Sequence, residues 1–216
     1  MKITNGSKSY VVFLTLVLAL PAVADDAKNQ FGVRANVLVG SGKPANDILG
    51  AGLIAFRYRD DGWFYGGSID NYAYDFERPA SYVGLAQDPN VDVIDADGSN
   101  TVIAGFLGRE YDADDGGFRW FWTAGIGLGF ADVDDVSGPT DTGGTFDLTF
   151  KVDTEVHVMG TLGAVYDFSP KWSTTLSTRL EHHFMSIQIT DQVTGNTASI
   201  DSQTVMGAYL SLNYRF

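Results

Sequence analysis

Hydrophobic and polar residues alternate along most of the chain after residue 30, in runs that end at glycine, proline or aspartate. Alternation with a period of two is the pattern of β-strands that have one apolar and one polar face. The runs predict eight strands, at residues 31–40, 49–59, 63–76, 100–111, 118–131, 149–168, 172–190 and 202–216.

The segments between the predicted strands alternate in length. The links at 60–62, 112–117 and 169–171 are short, whereas those at 77–99 and 132–148 are long. An even number of strands with short turns at one end and longer loops at the other is typical of outer-membrane barrels. Proline interrupts strand ladders, and the prolines beyond residue 25 all fall in connections (44, 79, 89, 139 and 170). We therefore predict an all-β fold, an eight-stranded antiparallel up-and-down transmembrane β-barrel.

The two faces of each predicted strand differ in polarity, and we assign the apolar face to lipid and the polar face to the lumen. A soluble barrel with an apolar interior has the mirror-image arrangement and is the main alternative. Aromatic residues favour the membrane, because they collect at strand ends near the short links, where an interfacial girdle lies. They are Trp63, Tyr65, Tyr111, Phe118, Trp120, Tyr166, Phe168, Trp172 and Tyr214.

The first 24 residues have the pattern of a secretory signal peptide. Lys2 and Lys8 precede an apolar run at 11–20, and the small residues Ala22 and Ala24 stand before Asp25. The apolar run is shorter than the roughly 20 residues that a membrane-spanning helix requires. We predict a signal peptide at 1–24 and a barrel domain at 25–216.

The C-terminal residues resemble the assembly signal of bacterial outer-membrane proteins, which has a terminal aromatic residue preceded by alternating hydrophobic residues. Here the signal comprises Gly207, Leu210, Leu212, Tyr214 and Phe216. The segment 165–172, Val-Tyr-Asp-Phe-Ser-Pro-Lys-Trp, is similar to the last periplasmic hairpin of small barrels such as OmpA, OmpX and OmpW. The resemblance implies an outer-membrane location and insertion by the barrel-assembly machinery, without implying one activity.

Composition removes several classes of function. The 216 residues carry a net charge of −13 and no cysteine, which argues against nucleic-acid binding, disulfides and thiol catalysis. Ten of the acidic residues fall in the two long links. The stretch Asp95-Ala-Asp97-Gly98 echoes a calcium loop, but Val93 and Ala104 stand where that motif needs oxygen ligands. We interpret these links as solvated charged loops, with a divalent-cation site as the alternative.

Ionisable residues on the predicted lumen face form the candidate site. If the turn at 169–171 pairs Phe168 with Trp172, residues whose numbers sum to 340 face each other, and His157 lies opposite His183. We favour a structural ion-pair network over an acid–base or metal site formed by His157, Glu181 and His183. The candidates are Arg34, Arg57, Asp70, Arg119, Asp153, Glu155, His157, Arg179, Glu181 and His183.

Lipid A-modifying barrels are the enzymatic alternative, because some deacylases carry a His-x-Ser pair on one strand face. In this chain Ser186 lies three residues from His183, which places the two side chains on opposite faces of a strand. We therefore predict no catalytic residues, no cofactor and no enzymatic activity.

The resulting expectation is a monomeric, non-enzymatic barrel in the outer membrane of a Gram-negative bacterium, with both termini periplasmic. Its expected role is envelope integrity or surface interaction through acidic extracellular loops. A narrow channel or lateral conduit for small hydrophobic molecules, as in OmpW, is the alternative. The expected partners are outer-membrane lipids, lipopolysaccharide and the barrel-assembly machinery.

Overall fold

Ten β-strands make up nearly all of the part of the chain that the computed structural model describes, which is residues 29–40, 45–79, 93–112, 117–139 and 144–216. The predicted signal peptide lies outside these residues. Among them, no helix is long and apolar enough to cross a bilayer. The strands are β1 (Asn29–Gly40), β2 (Ala45–Tyr58), β3 (Trp63–Pro79), β4 (Val93–Asp112), β5 (Phe118–Val133), β6 (Val136–Pro139), β7 (Thr145–Val152), β8 (Glu155–Asp167), β9 (Trp172–Asp191) and β10 (Thr197–Arg215).

Eight of these strands close into a ring of antiparallel neighbours. The order is β1-β2-β3-β4-β5-β8-β9-β10, and β10 pairs back with β1, from Arg215 opposite Gln30 to Val205 opposite Gly40. Closure leaves none of these eight strands with a free edge. The predicted fold, an eight-stranded antiparallel barrel, is confirmed.

The sixth predicted strand, 149–168, is divided in the structure into β7 and β8. Both pair with β9 in succession, Val152 with Ile187 and Val156 with Phe184, and the break at 153–154 lies between them. β7 also pairs with β6, so a hairpin occupies the segment 132–148 that was predicted to be a loop. The prediction that every proline lies in a connection is wrong for Pro79 and Pro139, which end β3 and β6.

Two ends of the barrel differ in the length of their connections. The turn end carries the links after β2, β4 and β8 together with Phe216. The loop end carries the links after β1, β3, β5 and β9, and those from β3 to β4 and from β5 to β8 are the longest of all. At the turn end Gly62 and Gly117 have φ values of +81° and +85°, a conformation that side chains with a Cβ rarely adopt. Glycine at these two positions therefore permits the backbone to turn sharply next to paired strands.

An apolar band covers the outside of the ring from the turn end to about Phe184 on β9. Leu162, Leu176, Leu180 and Met206 are all more than half exposed. Exposed apolar area of this extent is unusual in a water-soluble protein, but it matches the hydrocarbon-facing band of a membrane barrel. Aromatic pairs border the band at the turn end: Phe118 with Tyr166, Trp172 with Tyr214, and Tyr214 with Phe216.

The barrel continues past this band at the loop end, and there the two faces exchange polarity. On β9, Met185, Ile187 and Ile189 point inward and are buried, while Ser186 and Gln188 are exposed. The inward residues pack with Leu148 of β7 and others into an apolar core. This loop-end extension therefore has the organisation of a water-soluble β-structure. The buried residues of its core are Ala96, Val133, Leu148, Met185, Ile187, Ile189 and Ile200.

Candidate functional site

The structure brings the four principal site residues together inside the barrel. His157 lies opposite His183 and Met159 opposite Glu181, so the predicted register is confirmed. Arg179, Glu181 and His183 are alternate residues of β9 and point inward together. All four side chains are buried.

Two carboxylates flank the paired histidines. Glu181 Oε2 lies 3.5 Å from His157 Nδ1 and 3.3 Å from His183 Nε2. Glu155 Oε2 lies 3.0 Å from His157 Nε2 and 3.8 Å from His183 Nδ1. Each carboxylate therefore contacts both rings, and the ring centroids are 3.9 Å apart. We refer to Glu155, His157, Glu181 and His183 as the His–Glu cluster.

Glu181 is also bonded on its other side. Arg179 Nη1 donates to Glu181 Oε1 at 3.1 Å, and the Tyr209 hydroxyl donates to the same oxygen at 2.6 Å. The Arg179 guanidinium lies 4.2 Å from the centre of the Tyr209 ring, a cation–π contact. The position of Glu181 is therefore fixed by neighbours on β9 and β10.

A second buried ion pair also lies near Tyr209, with the Arg34 guanidinium 5.3 Å from the centre of its ring. Arg34 of β1 donates two hydrogen bonds to the Asp70 carboxylate of β3 and one to Ser68 Oγ at 2.9 Å. The Asn36 amide also donates to Asp70 Oδ1, at 3.0 Å. Gly52 on the intervening strand makes this pairing sterically feasible, since a Cβ there would lie 2.1 Å from Asp70 Oδ1.

A third polar group closes the turn end of the lumen. Arg119 pairs with both Glu110 and Asp167, and Arg215 lies 3.5 Å from Asp167. The Tyr58 hydroxyl donates to Glu110 Oε2 at 2.5 Å. Of these five residues, Arg119 is the one that the sequence analysis names as a lumen candidate.

A cavity lies between the turn-end group and the middle of the lumen. Six of the sixteen residues that line it are aromatic, and the lining also includes Arg34 and Arg179. The aromatic lining residues are Phe56, Tyr58, Phe64, Phe106, Phe121 and Tyr209.

Two predicted lumen residues are placed elsewhere. Arg57 lies on the outward face of β2, because its neighbours Phe56 and Tyr58 are the ones that line the cavity. Asp153 is exposed in the break between β7 and β8, where the alternation of the strand is interrupted. Both predictions were wrong. Arg57 was assigned to the wrong face of its strand, and Asp153 was assigned to a continuous strand that is interrupted at this residue.

Several site residues were missed because only ionisable side chains were considered. Asn100 Nδ2 donates to Glu155 Oε2 at 2.9 Å, and Thr161 Oγ1 accepts from Arg179 Nε at 3.2 Å. Tyr72 and Tyr209 approach each other across the lumen, with hydroxyl oxygens 3.4 Å apart. Both tyrosines occupy inward positions in strands whose residues alternate between the two faces, and that position was the signal available in the sequence.

The acidic residues of the two long links are only partly described. Asp97, Asp132, Asp134, Asp135 and Asp147 are exposed at the loop end. Several of them lie in strands rather than loops, because β4, β5 and β7 extend further than predicted. Asp88, Asp92 and Asp141 lie outside the described residues.

The C-terminal assembly residues follow the predicted alternation. Leu210 and Leu212 are exposed on the outer face of β10, while Gly207 points inward, where a Cβ would lie 2.8 Å from Leu38 Cγ. Phe216 N–H donates to the Asn29 carbonyl at 3.1 Å, and this hydrogen bond joins the C-terminal residue to the first residue of β1.

No protein-family model and no curated protein sequence matches this chain. Solved structures do match. Neisserial surface protein A has a TM-score of 0.52 and 13% identity over 87% of this chain and 96% of its own. A major outer membrane protein from Thermus thermophilus has a TM-score of 0.56 and 13% identity, over 87% of this chain and 99% of its own.

These structural matches, at 13% identity, show a shared fold. The closed ring of eight strands, the outward apolar band and the polar lumen agree with that likeness. The chain therefore has the fold of the small eight-stranded outer-membrane β-barrel family.

Proposed function

We propose that the protein is a non-conducting, non-enzymatic barrel of the outer membrane that acts at its loop end, in envelope integrity or surface interaction. The observation that carries this proposal is the filled lumen. Three groups of paired side chains follow one another along the barrel, around Arg119, around Arg34 and Arg179, and around His157.

The bonds within the lumen cross between strands that are not neighbours. Arg34 of β1 pairs with Asp70 of β3, and Tyr72 of β3 meets Tyr209 of β10. Breaking a buried ion pair by removing one partner costs about 3–5 kcal/mol, so opening a path for ions carries a comparable penalty. This favours a closed lumen over the alternative of a channel.

The loop-end extension supports a role at the surface. Its apolar core makes it a rigid continuation of the barrel, and its outer face is polar and carries exposed aspartates such as Asp132, Asp134 and Asp147. Rigid scaffolds that present polar loops are well suited to binding. Acidic side chains there also suit divalent cations that bridge to lipopolysaccharide.

The proposal has further parts, which concern assembly and orientation. We propose that the barrel is monomeric in lipid and inserted by the barrel-assembly machinery, with the turn end and both termini in the periplasm. The loop end is then extracellular. An enzymatic role in lipid modification is disfavoured, because Ser186 is exposed on the outer face whereas His183 is buried in the lumen.

The aromatic cavity is the feature that a hydrophobic conduit would use. It is bounded by Arg34 and Arg179 on one side and by Glu110 on the other. Both boundaries belong to paired polar groups. The cavity therefore favours a pocket within the barrel over a continuous path through it.

Planar-bilayer recording tests the closed lumen. The protein should give no steady conductance. The quadruple variant Arg34→Gly, Asp70→Gly, Arg179→Gly, Glu181→Gly should also give none, because the groups around Arg119 and His157 still obstruct the lumen. Steady single-channel conductance by the unmodified protein would contradict the proposal.

Lipid A mass spectra test the absence of enzymatic activity. The spectra should be the same in cells that lack the protein, express it normally or overproduce it. A mass change of one acyl chain that follows the level of the protein would contradict this part of the proposal.

A further inference from the structure

The paired histidines have a well-defined arrangement of donors and acceptors. His157 Nδ1 and His183 Nε2 both face Glu181 Oε2, at 3.5 and 3.3 Å. A carboxylate accepts hydrogen bonds and donates none when ionised, so Glu181 can accept an N–H from both rings at once. The second nitrogen of each neutral ring, His157 Nε2 and His183 Nδ1, then carries a lone pair.

Both lone pairs point at another acceptor. Glu155 Oε2 lies 3.0 Å from His157 Nε2 and 3.8 Å from His183 Nδ1. The ion-pair partners of Glu155 within the described ranges are these two histidines, with no arginine or lysine among them. Three electron-rich atoms that converge in a buried site require a positive species between them.

We propose that this species is a divalent metal ion of the zinc class, held by Glu155 Oε2, His157 Nε2 and His183 Nδ1. A zinc ion bound to nitrogen and oxygen at about 2.0–2.2 Å in tetrahedral geometry places its ligand atoms about 3.4 Å apart. The separations of 3.0 and 3.8 Å from Glu155 bracket that value. One ligand atom from each of the three residues lies within 4.8 Å of the others.

Two neighbouring residues point to the same place. A Cβ at Gly129 of β5 would lie 2.4 Å from His157 Nε2 and 3.1 Å from both Glu155 Oε2 and Asn100 Oδ1. Glycine therefore keeps open the space that these atoms surround. Asn100 is more than nine-tenths buried, and its Oδ1 has no hydrogen-bond partner within the described part of the chain. It is available as a fourth ligand or as an acceptor for a metal-bound water.

Glu181 would then act from outside the ligand set. Histidine ligands usually donate their other N–H to a carboxylate, which fixes the ring and its tautomer. Glu181 does this for both rings and is itself held by Arg179 and Tyr209. The site is thus supported by ordered neighbours on β9 and β10. The proposed metal site is independent of the proposed role of the loop end, so either proposal can fail without the other.

The test is metal content and cobalt spectroscopy of the full chain refolded into detergent with Zn²⁺ or Co²⁺, followed by removal of free metal. One ion per barrel is expected, and Co²⁺ should give the intense visible bands of tetrahedral coordination. His157→Gln, His183→Gln and Gly129→Ala should each lose the ion. Glu181→Gln should bind about 10–100-fold more weakly.

His182→Gln is the matched control, because His182 is adjacent to His183 but faces outward and bonds to Thr204. It should retain the ion. A difference in SDS-gel mobility between the unheated and the boiled sample of a variant shows that the variant is folded. If a ligand variant fails to fold, Gly129→Ala and the cobalt spectrum of the unmodified barrel still decide the question.

Less than a tenth of an ion per folded barrel after refolding in excess metal would overturn the proposal and assign the positive charge to a proton on the histidines. Binding that survives His183→Gln, or that is lost in His182→Gln alone, would also overturn it.

Discussion

Phe184 and Met185 are consecutive on β9 and mark the level at which the barrel reverses its polarity. Phe184 is 53% exposed and is the last large apolar residue on the outer face of that strand, while Met185 is 8% exposed and opens the apolar core of the loop-end extension. Below this level apolar residues face outward, and the buried charged residues lie in the lumen together with aromatic side chains. Above it the inward face is apolar and the outward face is polar. The reversal defines one boundary of the lipid-facing band from side-chain exposure alone.

The first prediction concerns the depth of that band. Leu180→Arg, on the outer face of β9 within the band, should destabilise the barrel by about 2–4 kcal/mol in lipid vesicles, because a cation near the bilayer midplane loses its hydration. Gln188→Arg, on the same face of the same strand but in the extension, should have little effect. Urea titrations of both variants in vesicles give the comparison, and equal destabilisation would show that the band is misplaced.

The second prediction concerns the Arg34–Asp70 pair. Asp70→Asn leaves the buried Arg34 guanidinium without its counter-ion and should cost about 3–5 kcal/mol. The double variant Arg34→Met, Asp70→Leu should recover most of this loss, since neither charge is then buried. Unfolding free energies of the single and double variants in vesicles provide the measurement. A single variant as stable as the unmodified barrel would mean that solvent reaches this layer of the lumen.

The third prediction is a pH dependence of the hairpin between β9 and β10. Burial pushes the pKa of Asp191 upward, but the Thr194 hydroxyl and the backbone N–H groups of Asp147 and Val193 donate to its carboxylate and hold its pKa below the ordinary value. A carboxyl with a lowered folded-state pKa stabilises the fold at pH above its unfolded value of about 3.9. That contribution is lost as the pH falls through the lower folded-state pKa.

Hydrogen exchange at residues 191–196 checks this expectation. Protection should be constant from pH 7 to about 4 once intrinsic rates are corrected, and should fall below that range. Asp191→Asn should lower protection at pH 7 and remove the pH dependence, whereas Asp201→Asn, at an exposed position, should do neither. Protection that rises on acidification would contradict the sign of the linkage.

The fourth prediction concerns the C-terminal residues. Deletion of Phe216 should reduce the amount of folded barrel in cells severalfold, because the terminal aromatic residue resembles a signal for the assembly machinery. Refolding of the purified variant in detergent should change little, since Phe216 contributes one backbone hydrogen bond, to Asn29, and one aromatic contact, with Tyr214. The control is Lys171→Ala, in the exposed turn before β9. It should change neither the amount of folded barrel in cells nor refolding in detergent. Normal amounts of the deletion variant in cells would remove this role from Phe216.

The strands within the lipid band were predictable because lipid and lumen impose opposite polarity on alternate residues. The same alternation, with the short turn at 169–171, was enough to place His157 opposite His183. The loop-end extension was not predictable in this way. Beyond Phe184 the polarity of the two faces is exchanged. Acidic residues such as Asp97 and Asp147 therefore indicate loops in the sequence, although they lie in β4 and β7.

The candidate site was predictable in its charged members and not in its neutral ones. Arg179 and Glu181 were identified because a charge on a lumen face requires a partner. Asn100 and Gly129 carry no charge, and their importance depends on the distances that bring them to Glu155 and His157 across β4, β5 and β8. Such distances follow from the shear and tilt of the barrel, which a strand pattern does not specify.

The most direct test of the central claim, a closed lipid-facing barrel, is the SDS-gel mobility of the protein in membrane fractions with and without heating. Folded membrane barrels resist SDS until they are boiled. The protein should appear in the outer-membrane fraction and change mobility on boiling. Recovery in the soluble periplasmic fraction, with one mobility before and after boiling, would contradict the account.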